Sequence, residues 1–260
     1  MTNDALIGHT GFVGGNLVRQ HAFAACFNSS NIEQIAGRSF DRLVCAGLPA
    51  AKWIANREPE ADAANLQRLI AALEQVEAEQ VVVISTIDVY PQPWEVDEET
   101  PIDPHAPLGH PYGRHRLLFE QAVRRRFAHS LVIRLPGLFG PGLKKNAIFD
   151  LLHDHEVHKI HADGLFQFYG LDHLWADIET ALAAKLELVN FATAALTVGE
   201  LAREAMGLDF TNRPPGPAAR YTFRSRHAAV FGGRDGLLYS REQVLADLRA
   251  FVAHERGRDR

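Results

Sequence analysis

Cysteine is scarce in this sequence, which has only Cys26 and Cys45 among its 260 residues. Two thiols exclude a disulfide framework, and their apolar neighbours favour buried cysteines in a protein of the reducing cytosol. Apolar runs long enough to span a bilayer are also missing, and no signal peptide precedes the first motif. We therefore expect a cytoplasmic protein without a membrane segment.

A surplus of basic residues is missing too. The 27 Lys and Arg are outnumbered by 32 Asp and Glu, which gives a formal net charge of -5. Such a chain has no general attraction to nucleic acid or to anionic membranes, so we expect neither as a partner. Repeats of solenoid period are absent, and the length suits one large α/β domain, alone or with a small lobe.

The sequence does contain a glycine-rich stretch near its start, Gly8-His9-Thr10-Gly11-Phe12-Val13-Gly14-Gly15, between a short apolar run and a helix-like run over residues 16–27. A strand, a glycine turn and a helix present backbone N–H groups and a helix N-terminus to a pyrophosphate. Gly8 allows the turn, Gly11 the approach of phosphate, and Gly14 close packing of helix on sheet. The spacing differs from the commoner G-x-G-x-x-G, and a plain turn is the alternative to nucleotide binding.

The residues after the second predicted strand, which begins at Cys26, bear on the choice of dinucleotide. An acid at the end of this strand holds the ribose of NAD, whereas a base holds the extra phosphate of NADP. Asn28, Ser29, Ser30 and Asn31 offer hydrogen bonds without charge, so we expect weak discrimination. Alternatively, Asn31 caps a helix over residues 32–36. Because the next strand follows closely, one β-α unit of the usual fold is expected to be trimmed or lost.

Strands and helices alternate over the following residues. Further strands are predicted at 43–47, 81–84 and 131–135, helices at 60–78 and 112–127, and loops at 91–111 and 136–142. The apolar sides of the two helices are expected to include Ala64 and Leu118. This alternation predicts an α/β fold with a doubly wound, Rossmann-like parallel sheet.

The pattern changes beyond Gly142, where a small C-terminal α+β substrate lobe is expected. Strands at 157–160 and 166–169 are predicted to form a hairpin at Asp163-Gly164, and helices are predicted at 174–186, 197–206 and 240–254. We assign residues 1–142, with a contribution from 171–196, to the dinucleotide-binding domain. Residues 143–170 and 197–260 are assigned to the lobe.

Four motifs occur in a familiar order: Gly8-x-x-Gly11-x-x-Gly14, Ser85-Thr86-x-x-Val89-Tyr90, Tyr112-x-x-x-Arg116 and Arg134-x-x-Gly137-Leu138-Phe139-Gly140-Pro141-Gly142. In this order and spacing they resemble the extended short-chain dehydrogenase/reductases, the NAD-dependent epimerase/dehydratase family of nucleotide-sugar enzymes. The resemblance continues to the last helix and so covers nearly the whole chain. It implies an NAD(P)-dependent oxidoreductase or epimerase acting on a nucleotide sugar or a similar hydroxy/keto compound.

The resemblance also implies roles for three residues. Thr86 resembles the residue that hydrogen-bonds the reacting sugar oxygen, and Tyr112 the acid/base that moves the hydroxyl proton during hydride transfer at nicotinamide C4. A phenol ionises at about pH 10, so it needs nearby positive charge to act near neutral pH. The family places a lysine for this purpose where this chain has Arg116. Because arginine is not equivalent to lysine, the alternative is a non-catalytic protein that keeps the dinucleotide as a structural or sensing ligand.

Other departures from the family concern the substrate. Ile87-Asp88 replaces the Asp-Glu pair of the sugar dehydratases, which favours reduction or epimerisation over elimination of water. Gly137 replaces the usual asparagine. Lys144, Lys145, Arg224 and Arg226 are either ligands of a substrate diphosphate or scattered surface bases.

The expected ligand is NAD or NADP, and a metal is not expected. The contacts of the dinucleotide are assigned to the glycine turn and to loops that follow strands: Gly8, Thr10, Gly11, Phe12, Val13, Gly14, Asn28, Ser29, Ser30, Ala46, Gly47, Ser85, Pro136 and Leu138. Substrate contacts are assigned to Asp88, Lys144, Arg224 and Arg226. The alternative is a metal site formed by the histidines at 153, 155, 158 and 161. A strand at 157–160 would, however, point His158 and His161 to opposite faces. Helices 60–78 and 112–127 suggest a homodimer, as in the resembled family.

Overall fold

Two units are distinguished by their internal contacts in the computed structural model, which describes residues 2–103 and 110–258. The first comprises the described residues of Met1–Gln92, Glu99–Arg134 and Trp175–Val189. The second comprises those of Pro93–Glu98, Leu135–Leu174 and Asn190–Arg260. Residues 93–98, 135–142, 171–174 and 190–196, which we assigned to the first domain from the sequence, fall in the second unit.

The strands are β1 (Asp4–Ile7), β2 (Ala25–Phe27), β3 (Ser39–Cys45), β4 (Glu77–Thr86), β5 (Ser130–Leu135), β6 (Gly137–Phe139), β7 (Leu165–Gly170), β8 (Leu188–Asn190) and β9 (Ala195–Thr197). The helices are α1 (Phe12–Gln20), α2 (Lys52–Arg57), α3 (Pro59–Leu73), α4 (Pro111–Arg126), α5 (Ala147–Leu152), α6 (Leu174–Ala183), α7 (Val198–Leu201) and α8 (Arg241–Arg258). A π-helical turn, Ala202–Met206, continues α7, and short 3-10 helices include Ile32–Ile35, Ile87–Val89 and Val157–Lys159.

A six-stranded parallel sheet in the order β2-β1-β3-β4-β5-β8 forms the centre of the first unit. The strand order reverses between β1 and β3, which is where ligands bind in doubly wound sheets. The predicted doubly wound sheet is therefore confirmed. In the usual order a further strand lies outside β2, whereas here β2 is the edge of the described sheet. The expected loss of one β-α unit is confirmed as well.

The core of the first unit is built on alternating strand residues. On one face, Ala5, Leu43 and Val81 pack in a cluster with Leu69 of α3 and Phe119 of α4. Their neighbours Leu6, Val44 and Val82 point to the opposite face and are equally buried. Both faces of the sheet are covered, as parallel sheets require.

The second unit contains a three-stranded sheet in the order β6-β7-β9, parallel between β6 and β7 and antiparallel between β7 and β9. Gln167 of β7 is buried and joins it to a loop, because its side chain accepts the N–H of Phe223 at 2.8 Å and donates to the carbonyl of the same residue at 2.9 Å. The Gln167 amide therefore fixes the loop at Phe223 to the three-stranded sheet.

Several predictions in the first unit were wrong at element boundaries. The first helix begins at Phe12, inside the glycine motif, and residues 25–27 form a strand. The helix predicted over 60–78 ends at Leu73, because Glu77 already pairs with Ser39 of β3. Ala64 and Leu118 were expected on the apolar sides of the two helices, but Ala64 is exposed and Leu118 is 40% exposed. The buried faces of these helices instead include the polar residues Asp62 and Arg116.

The hairpin predicted in the second unit was wrong. Residues 157–159 form a 3-10 turn, and β7 pairs with β6 and β9 instead. The Asn212 amide donates to the carbonyls of Val157, His158 and Ile160, so this segment is held without a strand partner. The rigid loop predicted over 136–142 contains strand β6, because Gly137 pairs with Phe168.

Candidate active site

The glycine turn joins β1 to α1 in a conformation that only glycine fits. Gly8 has φ +92°, and a Cβ there would lie 2.3 Å from the carbonyl oxygen of Ala46. A Cβ at Gly14 would lie 2.1 Å from the carbonyl oxygen of Gly8. Both glycines therefore bring backbone segments into direct contact, and Gly14 is buried.

The start of α1 meets the requirements of an anion site. Gly11 is the N-cap and supplies no side-chain hydrogen bond to the first turn. The N–H groups at the start of the helix, Phe12 and Val13 among them, therefore have no side-chain cap, and the helix dipole favours negative charge there. Thr10 and Gly11 are exposed. These features fit a dinucleotide pyrophosphate.

Strands β1, β2 and β3 bring their carboxyl ends together around the turn. The carbonyl oxygen of Phe27, which ends β2, accepts the N–H of Gly8 at 2.7 Å and lies 3.0 Å from Nδ1 of His9. Ala46 and Gly47 follow β3 directly, and the Ala46 N–H donates to the carbonyl of Ile7. The predicted phosphate turn thus lies at the point where the strand order reverses.

The loop after β2 is held by its own side chains. The Asn31 side chain accepts the N–H of Asn28 at 2.7 Å and donates to the carbonyl of Cys26 at 3.2 Å. Asn31 occupies the predicted N-cap position of the following 3-10 helix, but its side chain makes no capping bond there. Asn28 accepts the N–H of Ser30 at 2.9 Å.

Arg68 of α3 reaches the same loop, which sequence reasoning missed. Its Nη2 donates to the carbonyl oxygen of Ser29 at 3.0 Å. Arg68 lies 39 residues away in the sequence, inside a predicted helix, so no local signal connects it with the end of β2.

Tyr112 lies at the start of α4 and is 8% exposed. Its backbone N–H donates to the Asn56 side chain at 3.0 Å, and His110 Nδ1 caps the helix by accepting the N–H of Gly113 at 3.1 Å. The Thr86 side chain lies close enough to the phenol to lower its pKa. The structure therefore brings together the two residues that the resemblance paired.

Burial determines the protonation of this phenol. The pKa of Tyr112 is raised above its ordinary value, chiefly because burial disfavours the phenolate. The charge of Arg116, the Thr86 side chain and the charge of Lys52 lower the pKa, whereas the charge of Asp88 raises it. Arg116 acts in the expected direction, but its effect is smaller than that of burial.

The Arg116 guanidinium faces the protein interior. Its carbon lies 4.0 Å from the centroid of the Tyr112 ring, over the face of the ring. Its two terminal nitrogens donate to Asp62 of α3 and to the carbonyl of Pro49. His115 shares the same Asp62 oxygen at 2.7 Å, and Arg116 is only 3% exposed. This guanidinium is committed to structural contacts.

Lys52 is a second cation near the phenol that sequence reasoning missed. It begins α2, and its Nζ donates to Asp88 Oδ1 at 2.8 Å. The Lys52 side chain is 37% exposed and that of Asp88 is 16% exposed. The available signal was its position shortly after β3, since loops that follow the carboxyl ends of parallel strands form the ligand crevice.

Ser85 was expected to contact the cofactor, but its hydroxyl donates to Glu120 of α4. Glu120 also pairs with Arg134 of β5 at 2.6 Å, and Arg134 donates to the Tyr90 hydroxyl at 2.8 Å. All four residues are buried. This network fixes α4 to β4 and β5, and thereby the positions of Tyr112 and Thr86.

The remaining predicted contacts, Pro136, Leu138, Lys144, Arg224 and Arg226, belong to the second unit. The three basic residues are exposed. The Arg224 guanidinium donates to the carbonyl of Asp235, and the backbone N–H of Arg226 donates to Glu98 at 2.9 Å. Within the described residues, no three His, Cys, Asp or Glu side chains converge as metal ligands, and no helix has the length and apolar character of a membrane span.

Comparison with known proteins agrees with this geometry. No curated protein sequence matches the chain. A dTDP-4-dehydrorhamnose reductase from Bacillus anthracis, solved in complex with NADP, is 16% identical with a TM-score of 0.73, over 98% of this chain and 99% of that one. A UDP-N-acetylglucosamine 4-epimerase from Methanobrevibacter ruminantium, solved with UDP-N-acetylmuramic acid, is 13% identical with a TM-score of 0.72, over 99% of both chains.

A third similar structure is MoeE5 in complex with UDP-glucuronic acid and NAD, which is 20% identical with a TM-score of 0.71, over 97% of this chain and 99% of that one. At these identities the likeness establishes the fold. The model of the NAD dependent epimerase/dehydratase family matches residues 28–164, which is more than half of the chain. The resemblance noted in the sequence is thus confirmed, and the chain belongs to the NAD-dependent epimerase/dehydratase family.

Proposed function

We propose that this protein is an NAD(P)-dependent reductase or epimerase of a nucleotide sugar or a similar hydroxy/keto compound, with Tyr112 as its acid/base. The observation that carries the proposal is the buried Tyr112 phenol, which lies beside the Thr86 side chain at the carboxyl end of β4. Ligands bind at this edge of a doubly wound sheet. A buried phenol beside a hydroxyl is suited to hold and transfer one proton there.

The dinucleotide would be held by the uncapped start of α1 and by the loops after β2 and β3. When bound, its nicotinamide gives or takes the hydride. In the direction of reduction, the Tyr112 hydroxyl donates a proton to the substrate oxygen as hydride reaches the carbonyl carbon. In the reverse direction the phenolate accepts the proton of the substrate hydroxyl. Thr86 orients both oxygens.

In this proposal Lys52 assists Tyr112 as a second cation beside Arg116, whose charge lowers the pKa of the phenol more. Arg116 lies against the ring face and is paired with Asp62, whereas Lys52 is partly exposed on a short helix. The Lys52 charge lowers the pKa of the phenol. A positive charge that stabilises the phenolate makes the phenol a better proton donor, and it increases the fraction of phenolate near neutral pH that can accept a proton in the reverse direction.

The proposed substrate class rests on family membership and on similar structures. Those structures were solved with UDP-N-acetylmuramic acid and UDP-glucuronic acid, or belong to a dTDP-sugar reductase. Asp88 lies beside Lys52 and would face the sugar. Lys144, Arg224 and Arg226 of the second unit are the candidate ligands of the diphosphate.

We also propose a cytoplasmic homodimer. Burial raises the pKa of the Cys45 thiol to about 12, which suits an inert core thiol, and Cys26 is likewise unpaired by any disulfide among the described residues. Leu118 is 40% exposed and offers an apolar contact on α4, which corresponds to one of the two helices that suggested a homodimer in the sequence.

A second candidate is a protein that binds the dinucleotide without turnover. The observation that favours it is the commitment of the terminal nitrogens of Arg116 to Asp62 and Pro49, so that they are not presented to a bound ligand.

Single-turnover hydride transfer distinguishes the two candidates. Purified protein is mixed with NADPH or NADH and a panel of UDP- and dTDP-linked 4-keto sugars, and nicotinamide absorbance is followed. We expect oxidation of the reduced dinucleotide by the wild type and none by Tyr112→Phe, with dinucleotide affinity by calorimetry unchanged in the variant. Absence of turnover with every sugar, together with intact dinucleotide binding, would favour the non-catalytic candidate.

A further inference from the structure

We infer that Arg68 binds the 2′-phosphate of NADP, so that this protein prefers NADP(H) to NAD(H). The inference rests on the dinucleotide binding proposed above and adds to it the choice of cofactor. It also departs from the weak discrimination expected from the sequence, because Arg68 lies in a helix far from the strand that normally makes this choice.

The end of β2 is the position that contacts the adenosine ribose in dinucleotide-binding sheets. Here the carbonyl of Phe27 is bonded to the N–H of Gly8, so the loop after β2 is attached to the phosphate turn. Asn28 and Asn31 hold this loop through their side chains. Ser29 is thus kept at a fixed place next to the turn.

The shortened fold brings α3 to this loop. Because no described strand lies outside β2, the chain after β2 forms only the 3-10 helix Ile32–Ile35, which packs against α3. Arg68 donates one N–H to the carbonyl of Ser29 across this contact. The guanidinium is therefore already oriented toward the end of β2.

The surroundings of Arg68 leave its charge available to a phosphate. No described carboxylate forms an ion pair with Arg68, and its helical neighbours are Ala64, Asn65, Ala71 and Ala72. Guanidinium carries five N–H donors, and only one is used by Ser29. Its planar geometry matches phosphate in two-point hydrogen bonding.

The loop after β2 favours the 2′-phosphate because its side chains are uncharged. An acid at this place holds the 2′-hydroxyl of NAD and repels a 2′-phosphate. Asn28, Ser29 and Ser30 carry no charge, and the Ser30 hydroxyl donates to the Asn28 side chain at 2.6 Å. The nearest acid in the sequence is Glu33, which is exposed on the 3-10 helix.

Calorimetric titration with NADP and NAD tests the inference without need of a substrate. We expect the wild type to bind NADP at least about tenfold more tightly than NAD, since a hydrogen-bonded charge contributes roughly tenfold to a hundredfold. Arg68→Gln should remove most of this preference while changing NAD affinity by less than about twofold. Arg57→Gln, which alters an exposed arginine paired with Glu58 on the adjacent helix, should leave both affinities unchanged.

The outcomes separate the inference from the function on which it rests. Equal affinity of the wild type for NADP and NAD, or an equal loss of both in Arg68→Gln, would overturn the inference and leave dinucleotide binding intact. Binding of neither dinucleotide would overturn both. Titration with adenosine 2′,5′-bisphosphate and with 5′-AMP provides a second measurement, in which only the affinity for the bisphosphate should fall in Arg68→Gln.

Discussion

Replacement of Asp62 by asparagine tests whether Arg116 is a structural residue. Asp62 of α3 accepts hydrogen bonds from Arg116 and His115 of α4, and the exposed fractions of these three residues are 6%, 3% and 6%. Asp62→Asn removes the negative charge with little change in shape. It leaves the Arg116 guanidinium buried without its ionic partner.

The expected loss follows from this burial. Removing one partner of a buried ion pair costs about 3–5 kcal/mol, because the remaining charge stays desolvated. A chain of this size loses about 2–4 °C of Tm per kcal/mol, so the Tm should fall by roughly 6–20 °C.

Urea denaturation followed by circular dichroism measures this change in the free energy of unfolding. Asp41→Asn is the matched control, because Asp41 is an exposed carboxylate that accepts only the N–H of Asn3 at 2.8 Å among its described contacts. The control should cost less than about 1 kcal/mol. If Asp62→Asn were as mild as the control, Arg116 would not depend on this pair and our account of its orientation would be wrong.

Three further predictions concern the site. Gly11→Val should abolish dinucleotide binding, because the valine Cβ would lie 3.3 Å from the Gly8 carbonyl oxygen and its methyl groups would occupy the proposed phosphate position. Unchanged affinity by calorimetry would place the site elsewhere. In a spectrophotometric titration, the tyrosine whose signal is lost in Tyr112→Phe should ionise with a pKa above about 10. This pKa should be still higher in Lys52→Met and lower in Asp88→Asn, and identical titration curves in these two variants would refute the role of Lys52. Light scattering at micromolar concentration should give the mass of a dimer, and a monomer mass would exclude the proposed interface.

Local sequence was sufficient for much of the fold. Gly8 and Gly14 identify the turn between β1 and α1 because their backbone positions exclude any side chain, and this requirement is visible in the residue type alone. The apolar run of β4 likewise identifies a central buried strand, since parallel strands are covered on both faces. The ends of elements were not determined by local sequence. The helical pattern continues to residue 78, but strand pairing of Glu77 with Ser39 ends it earlier.

The partners of the basic side chains around the candidate site were decided only by tertiary structure. The sequence offers Arg116 one helical turn after Tyr112, but an ion pair with Asp62, 54 residues away, turns its guanidinium inward. Lys52 reaches Asp88 across 36 residues, and Arg68 reaches Ser29 across 39. The physical reason is that a long charged side chain takes its orientation from the partners that desolvate and bind it, and those partners come from distant parts of the chain.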